Sequence, residues 1–362
     1  MSFNYSSIID EHLSRDDSLF WSRPTPVNCT PIRIVGIFLC IAAVIGTILN
    51  GTLFYSFVRY KTLRSSPNIF VMFITGIGLF ASCTILPLTG TSSIYCQWLY
   101  QRIGCQLSAI IAYFYGCSSA YLLCGASLSR LYIIIRPFQA KNVTVKNCVI
   151  ISSLLVLIAF IWTILPVIGW NEYTMEGTRT SCCINWYDRR TSYVTLIGFL
   201  FIVVYCIPLI ILFTANTITW FGLKRMNKKI INGFQTVFTR RRIEMERRIL
   251  KMIIITTIGF IFTWTPYAVA FFLSAFRGKD YAIPPMTVFI CACFAKTSLI
   301  WIPMLYANTS TQFQLNFITR DVLDQSIGTT RFGAAILVNI PILTRKSDDL
   351  VMNAVIDNSS NL

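Results

Sequence analysis

Seven long apolar segments constrain the fold of this chain more than any other feature of its sequence. A helix of about 20 apolar residues is long enough to cross the hydrocarbon core of a bilayer. Segments of this kind lie at about 33–57, 69–94, 104–135, 148–169, 193–220, 249–275 and 284–306. Because backbone groups in a bilayer must satisfy their own hydrogen bonds, the sequence predicts an all-α membrane protein, a seven-transmembrane helix bundle.

The composition supports a membrane protein. Hydrophobic residues make up 55% of the chain and charged residues 13%, whereas a soluble domain carries about 25% charged residues. The expected organisation is an external tail, the bundle and a surface helix with a cytoplasmic tail, at 1–32, 33–306 and 307–362. The surface helix is predicted over 308–318, where Phe313 and Phe317 stand four residues apart.

The distribution of charge predicts the orientation. The net charge is +16, and basic residues cluster in the connections after the first, third and fifth segments, beginning at Arg59, Arg136 and Lys224. Such clusters mark cytoplasmic loops. We therefore expect a multi-pass protein of the cell membrane with an extracellular N-terminus and a cytoplasmic C-terminus. The basic excess suits anionic membrane lipids and not nucleic acid. Asn4 and Asn28 begin sequons in the external tail and are candidate glycosylation sites.

One lysine, Lys296, lies deep inside the seventh apolar segment, while all fifteen acidic residues lie outside the segments. A charge at the bilayer centre costs at least about 2.5–3.5 kcal/mol, so such residues are usually functional. Burial favours a neutral amine, and a neutral amine can form an imine with an aldehyde. The alternative is a structural lysine that a carboxylate on a neighbouring helix neutralises. No metal site is expected.

Five of the thirteen cysteines are placed on the outside, where disulfides form: Cys29, Cys96, Cys105, Cys182 and Cys183. A bridge from Cys105 to Cys182 or Cys183 would hold the second external loop over the bundle. Free thiols are expected more at Cys29 and Cys96 than at Cys105.

Several short sequence signatures occur in a fixed order along the segments. They are Gly46-x-x-x-Asn50, Arg130 placed 25 residues after Cys105, Pro208, Trp264-Thr-Pro266-Tyr267 and Pro303-Met-Leu-Tyr306. Together they resemble a rhodopsin-type G protein-coupled receptor over residues 33–318. Within that class, Phe294-Ala-Lys296-Thr-Ser and the second external loop resemble animal opsins, of the divergent invertebrate kind more than the vertebrate visual kind.

The resemblance implies a retinal-binding photoreceptor that converts light-driven retinal isomerisation into G protein signalling, and not an enzyme. It implies 11-cis-retinal as the dark-state cofactor, held by Lys296 as a Schiff base. It also implies a heterotrimeric G protein, arrestin and a receptor kinase as partners.

The resemblance further assigns roles to individual residues. Glu176 matches the loop acid that serves as counterion in many invertebrate opsins, with Glu172, or a bound anion beside Ser108, as alternatives. The family disulfide corresponds to Cys105–Cys182. Chromophore-pocket positions correspond to Gly116, Phe260, Trp264 and Tyr267, for which ordinary bundle packing is the alternative. G protein coupling would involve Arg130, Glu246 and Tyr306.

The chain departs from the family pattern at polar positions that normally link the pocket to the cytoplasmic face. The residues found there are Ser129, Leu131, Gly78, Ile302, Asn216 and Val156. Two alternative functions follow. One is a retinal photoisomerase without strong G protein coupling, and the other is a chemoreceptor whose lysine is incidental.

Overall fold

The computed structural model describes residues 17–188, 190–231, 237–276 and 283–309, with the backbone alone at 227–231, 237–243, 245 and 309. Within these residues, seven helices are long and apolar enough to cross a membrane, and we number them as spans one to seven. They are Cys29–Arg59, Asn68–Ile94, Gln101–Ile135, Val145–Ile164, Thr191–Met226, Glu246–Phe276 and Pro285–Asn308. The predicted all-α bundle is therefore confirmed. Asn4 and the predicted surface helix beyond Thr309 lie outside the described residues.

The bundle distributes its side chains as a lipid-embedded protein does. Large apolar side chains face outward, with Phe213 74% exposed and Phe262 68% exposed. Small polar residues such as Ser82, Ser118 and Ser127 are buried between the helices. Small residues let helices approach closely where lipid tails offer no hydrophobic driving force for association.

At the centre of the bundle, Asn50 of span one forms a hydrogen bond to span seven. Its Nδ2 donates to the carbonyl oxygen of Gly46 at 2.8 Å and to that of Leu299, in span seven, at 2.7 Å. A Cβ added at Gly78 would lie 2.6 Å from the Asn50 Oδ1 atom. The amide of Asn50 thus occupies the space next to Gly78, which explains how this departure in span two is accommodated.

Four spans contain a proline or a local break, and in span two the proline is Pro87. Span five consists of Thr191–Leu200, a wider turn at Phe201–Cys206 and Ile207–Ile231. The wider turn precedes Pro208, which has no N–H to donate. The helix that contains span six, Val237–Phe276, contains Pro266. Span seven divides into Pro285–Lys296 and Ser298–Thr309, so that Lys296 is the last residue of its first helix.

Shorter elements complete the connections. Two antiparallel strands, β1 (Tyr173–Met175) and β2 (Cys182–Ile184), lie in the loop between spans four and five, with Met175 opposite Cys182. The remaining short helices are Ser18–Trp21, Lys61–Leu63 and Pro137–Asn142. The Oδ1 atom of Asn28 accepts a hydrogen bond from the Thr30 backbone N–H at 3.0 Å and caps span one.

Candidate functional site

Two disulfides fix the segments above the bundle. Cys105 at the head of span three is bonded to Cys182 in β2, with their Cα atoms 5.4 Å apart. Side chains alternate along a strand, so Cys183 points to the other face and is buried as a free thiol. The second disulfide joins Cys29 to Cys96, with a Cα–Cα distance of 5.8 Å. The expectation that these two cysteines would more often be free is therefore wrong.

Four predicted pocket residues line one cavity: Gly116, Phe260, Trp264 and Tyr267. The cavity lies between spans three, five and six and has an empty volume of about 620 Å³, counting the part that is open. Its remaining lining is mostly aromatic and aliphatic. Small-molecule sites typically have a largely apolar lining with a few polar groups. The cavity therefore suits an apolar ligand with one polar end.

Gly116 is required by the close approach of Trp264. A Cβ at position 116 would lie 2.5 Å from the Trp264 ring. We expect Gly116→Ala to lower the free energy of unfolding by about 1–3 kcal/mol, the usual cost of overpacking. It should also displace Trp264 and shift any absorption band of a ligand bound there. Gly51→Ala is the matched control, because its Cβ would meet Leu79 at an ordinary 3.5 Å. Equal stability of the two variants would contradict the close contact.

Glu176 lies in the turn after β1 and is 2% exposed. Its carboxylate accepts hydrogen bonds from the Ser181 hydroxyl and, at 3.4 Å, from the Tyr267 hydroxyl. Burial raises the pKa of Glu176, while the nearby positive charge of Lys296 and the two hydroxyls act in the opposite direction. Glu176 and Lys296 are thus within electrostatic reach of each other.

Lys296 is linked to the cavity through the break in span seven. Two residues beyond it, the Ser298 hydroxyl accepts a hydrogen bond of 3.1 Å from Nε1 of Trp264, a cavity residue. Tyr267 both lines the cavity and donates to Glu176, so this carboxylate adjoins the aromatic cavity, and the positive charge of Lys296 is within electrostatic range of the carboxylate.

Tyr113 is a site residue that sequence reasoning did not identify. Its hydroxyl lies 3.5 Å from the Tyr267 hydroxyl and extends the hydrogen-bonded chain from Glu176 toward span three. The Trp186 ring, in the loop after β2, lies 5.7 Å from the Tyr267 ring and 5.3 Å from the Phe271 ring, between centroids. The sequence signal for Tyr113 was a tyrosine within an apolar segment, because a buried phenol hydroxyl needs a polar partner.

The two alternatives to Glu176 lie in different environments. The carboxylate of Glu172 accepts a hydrogen bond of 2.9 Å from the Asn185 side chain and is half-buried at the entry to β1. Ser108 is buried on span three. In the part of the chain that the structure describes, Ser108 and Glu176 are not hydrogen-bonded to each other.

At the other end of the bundle, Arg130 of span three pairs with Glu246 of span six. Their Nη1 and Oε2 atoms are 2.7 Å apart, and the two side chains are 5% and 13% exposed. The neighbouring Ser129 hydroxyl donates within its own helix, to the Ala126 carbonyl oxygen at 2.7 Å. Tyr306 is buried, packs with Phe57 at a centroid distance of 5.6 Å, and lies within electrostatic range of Arg130.

Residues 49–306 match the family described as 7 transmembrane receptor (rhodopsin family). The chain therefore belongs to this family, which consists of receptors and not of enzymes.

Similar proteins include "Rhodopsin, GQ-coupled" of Mizuhopecten yessoensis, 28% identical over 304 residues, covering 82% of this chain and 61% of the relative. "Melanopsin" of Homo sapiens is 30% identical over 291 residues, covering 78% and 60%. This chain thus spans about three-fifths of their length. The crystal structure of squid rhodopsin has the same fold, with a TM-score of 0.74 and 24% identity over 85% of this chain and 92% of that one. The predicted resemblance to opsins of the invertebrate kind is confirmed.

Proposed function

We propose that this protein is a retinal-binding photoreceptor that signals to a heterotrimeric G protein, with 11-cis-retinal as its dark-state cofactor. The observation that carries the proposal is the buried Glu176 carboxylate, which adjoins the aromatic cavity through Tyr267 and lies within electrostatic range of the half-buried Lys296. An amine that reacts with an aldehyde and a carboxylate that balances the resulting positive charge are both available there. The names of the similar proteins, a rhodopsin and a melanopsin, support the same function.

The residues present fit retinal on chemical grounds. The lining of the cavity suits an apolar polyene, and Lys296 supplies the amine for covalent attachment. When bound, retinal would supply light absorption and a change of shape. Trp264 and Tyr267 line the cavity. Trp264 is hydrogen-bonded to span seven, and Tyr267 is hydrogen-bonded to the external loop. They would therefore transmit a change in cavity shape to both.

Glu176→Gln tests the charge partner. Without a buried carboxylate, the positive charge on the nitrogen that links retinal to Lys296 should be less stable. We expect the dark pigment of the variant to absorb in the ultraviolet near neutral pH, and its visible band to return as the pH is lowered. The measurement is a pH titration of the absorption spectrum. Glu172→Gln is the matched control and should change little, because that carboxylate is bonded to Asn185.

Ser108→Ala, measured with and without chloride, tests the third candidate. A Glu176→Gln titration identical to that of the wild type, together with strong chloride dependence in the wild type, would transfer the role to a bound anion.

Glu176 also gives a readout that needs no retinal. Since burial raises the pKa of its carboxyl, the folded apoprotein binds a proton at this position more readily than the unfolded chain does. The stability that this protonation contributes is present at low pH and is lost as the pH rises through the raised pKa. Glu176→Gln should flatten this part of a plot of unfolding temperature against pH. An unchanged pH profile would contradict the burial of this carboxyl.

For signalling, we propose an extracellular N-terminus, a cytoplasmic C-terminus and a G protein surface at the end of the bundle where Arg130 pairs with Glu246. Removing one partner of a buried ion pair costs about 3–5 kcal/mol, so Glu246→Gln should weaken the link between spans three and six. We expect more G protein activation in the dark, measured by nucleotide exchange. Glu244→Gln, at an exposed neighbouring position, is the control. Dark activity that stays at the wild-type level in Glu246→Gln would contradict this role.

A photoisomerase without strong coupling is the second candidate, favoured by the replaced polar positions Ser129, Gly78 and Ile302. A light-dependent G protein assay combined with extraction of retinal isomers separates the two. Light-driven isomerisation without nucleotide exchange by any G protein class would favour the photoisomerase. Arrestin and a receptor kinase remain predictions from the family resemblance.

A further inference from the structure

A second cavity, with more empty space than the first, lies at the end of the bundle that carries Arg130. It is bounded by spans two to five and has about 1,140 Å³ of empty space, counting the part that is open. Its floor is formed by the buried residues Phe70, Cys124 and Cys148. Its mouth includes the apolar residues Leu128 and Ile151, which are each 45% exposed. We call this space the lateral groove.

We propose that the lateral groove binds one acyl chain of an anionic phospholipid. The surface that faces into the groove is mostly apolar, and its exposed apolar rim belongs to the surface of the bundle that faces lipid tails. An acyl chain that enters from the side does not leave an apolar medium, so binding involves no transfer out of water. An unfilled groove would leave its lining atoms without van der Waals partners, which an acyl chain supplies.

The connection between spans three and four favours a negative headgroup at the mouth of the groove. Together with the first turn of span four, it carries three exposed basic residues and no acidic residue: Arg136, Lys141 and Lys146. Lys141 and Lys146 directly precede Asn142 and Asn147, which line the groove. A basic residue close to an anionic membrane surface contributes about 1 kcal/mol. The charge of this connection therefore selects an anionic phospholipid over a zwitterionic one.

Span three, which contributes Arg130 to the buried ion pair, forms part of the wall of the lateral groove. Ser129 and Tyr132 both line it, and they lie on either side of Arg130 in span three. Neither the cavity beside Lys296 nor the G protein surface is needed for this contact. Lipid composition is thus a second input to the position of span three, separate from the ligand cavity.

Photo-crosslinking in nanodiscs tests the proposal with the full chain, in the dark and without retinal. The probe is phosphatidylserine with a diazirine at the end of one acyl chain. Labelling of peptides within 121–155 should saturate at a low mole fraction of probe. Unlabelled phosphatidylserine should compete, and unlabelled phosphatidylcholine should compete much less. Labelling that only rises in proportion to the probe, as for any boundary lipid, would overturn the proposal.

Two single variants fill the groove, and one double variant removes two of the basic charges beside it. Ser129→Leu and Ile211→Phe should lose the saturable labelling, while Thr214→Leu on the exposed face of span five should keep it. The double variant Lys141→Gln/Lys146→Gln should lose the preference for phosphatidylserine, whereas Arg59→Gln/Lys61→Gln should retain it. Unchanged labelling in both filling variants would overturn the acyl-chain site. Equal labelling by a phosphatidylcholine probe would overturn the anionic preference. Because the readout needs no pigment, either failure is distinguishable from a failure of the proposed photoreceptor function.

Discussion

Replacing Lys296 by alanine is expected to abolish the absorption band that the protein forms with 11-cis-retinal. Lys296 is the one lysine placed deep in an apolar segment, and it lies within electrostatic reach of the buried Glu176. Lys296→Arg should lose the band as well, because a guanidinium stays protonated and forms no imine. The measurement is the visible and near-ultraviolet spectrum after reconstitution and purification.

Peptide mapping strengthens this test. Borohydride reduction of the wild-type pigment should fix retinal on the peptide that contains Lys296. Lys251→Ala removes an exposed lysine at the base of span six and should leave the spectrum unchanged. A pigment band that survives Lys296→Ala would rule out the opsin function, whatever the behaviour of the other variants.

Loss of the Cys105–Cys182 disulfide is expected to have the next largest effect. Cys182 lies in β2 opposite Met175 of β1, and Glu176 is the residue that follows β1. The bond to span three therefore fixes the position of the carboxylate through two short strands. Removing a native disulfide typically costs about 2–5 kcal/mol. Cys105→Ala or Cys182→Ala should give little pigment, measured as the ratio of visible to protein absorbance.

The second disulfide provides a comparison. Cys29→Ala or Cys96→Ala should also lower the unfolding temperature, but Cys29–Cys96 does not hold the strand next to Glu176. The pigment that these variants form should therefore have a wild-type band position. Cys183→Ala should have the mildest effect on stability, because this thiol is free. If Cys105→Ala gave normal yields of pigment, the strands would be held in place by other contacts.

The fold was predictable because each span is a local property of the sequence. An apolar segment of membrane length can be recognised without knowing its neighbours. The functional importance of Lys296 was predictable for the same reason, since the free-energy cost of placing its charge in the bilayer follows from its own position in an apolar segment. Span seven, where the prediction and the structure nearly coincide, starts at Pro285 and contains this lysine at the end of its first helix.

The pairing of Arg130 with Glu246 was expected from the resemblance, but other contacts between spans were not predictable from apolar length, because helix packing decides which side chains meet. The Tyr113–Tyr267 hydroxyl contact joins residues 154 positions apart. The approach of Asn50 to Gly78 depends on the rotation of two helices about their axes, which apolar length does not determine. The Cys29–Cys96 bond was missed because the five cysteines predicted to be external allow several pairings, and only the geometry selects one.

The cap at the start of span one affects how glycosylation of Asn28 would have to be studied. An N-linked glycan is attached through Nδ2, whereas the cap uses Oδ1, so a sugar and the cap can coexist. Replacing Asn28 by alanine would remove both at once, and losing a cap costs about 0.5–2 kcal/mol by itself. Thr30→Ala is the cleaner change: it destroys the sequon and keeps the Asn28 side chain, since the bond to the cap comes from the backbone N–H of residue 30.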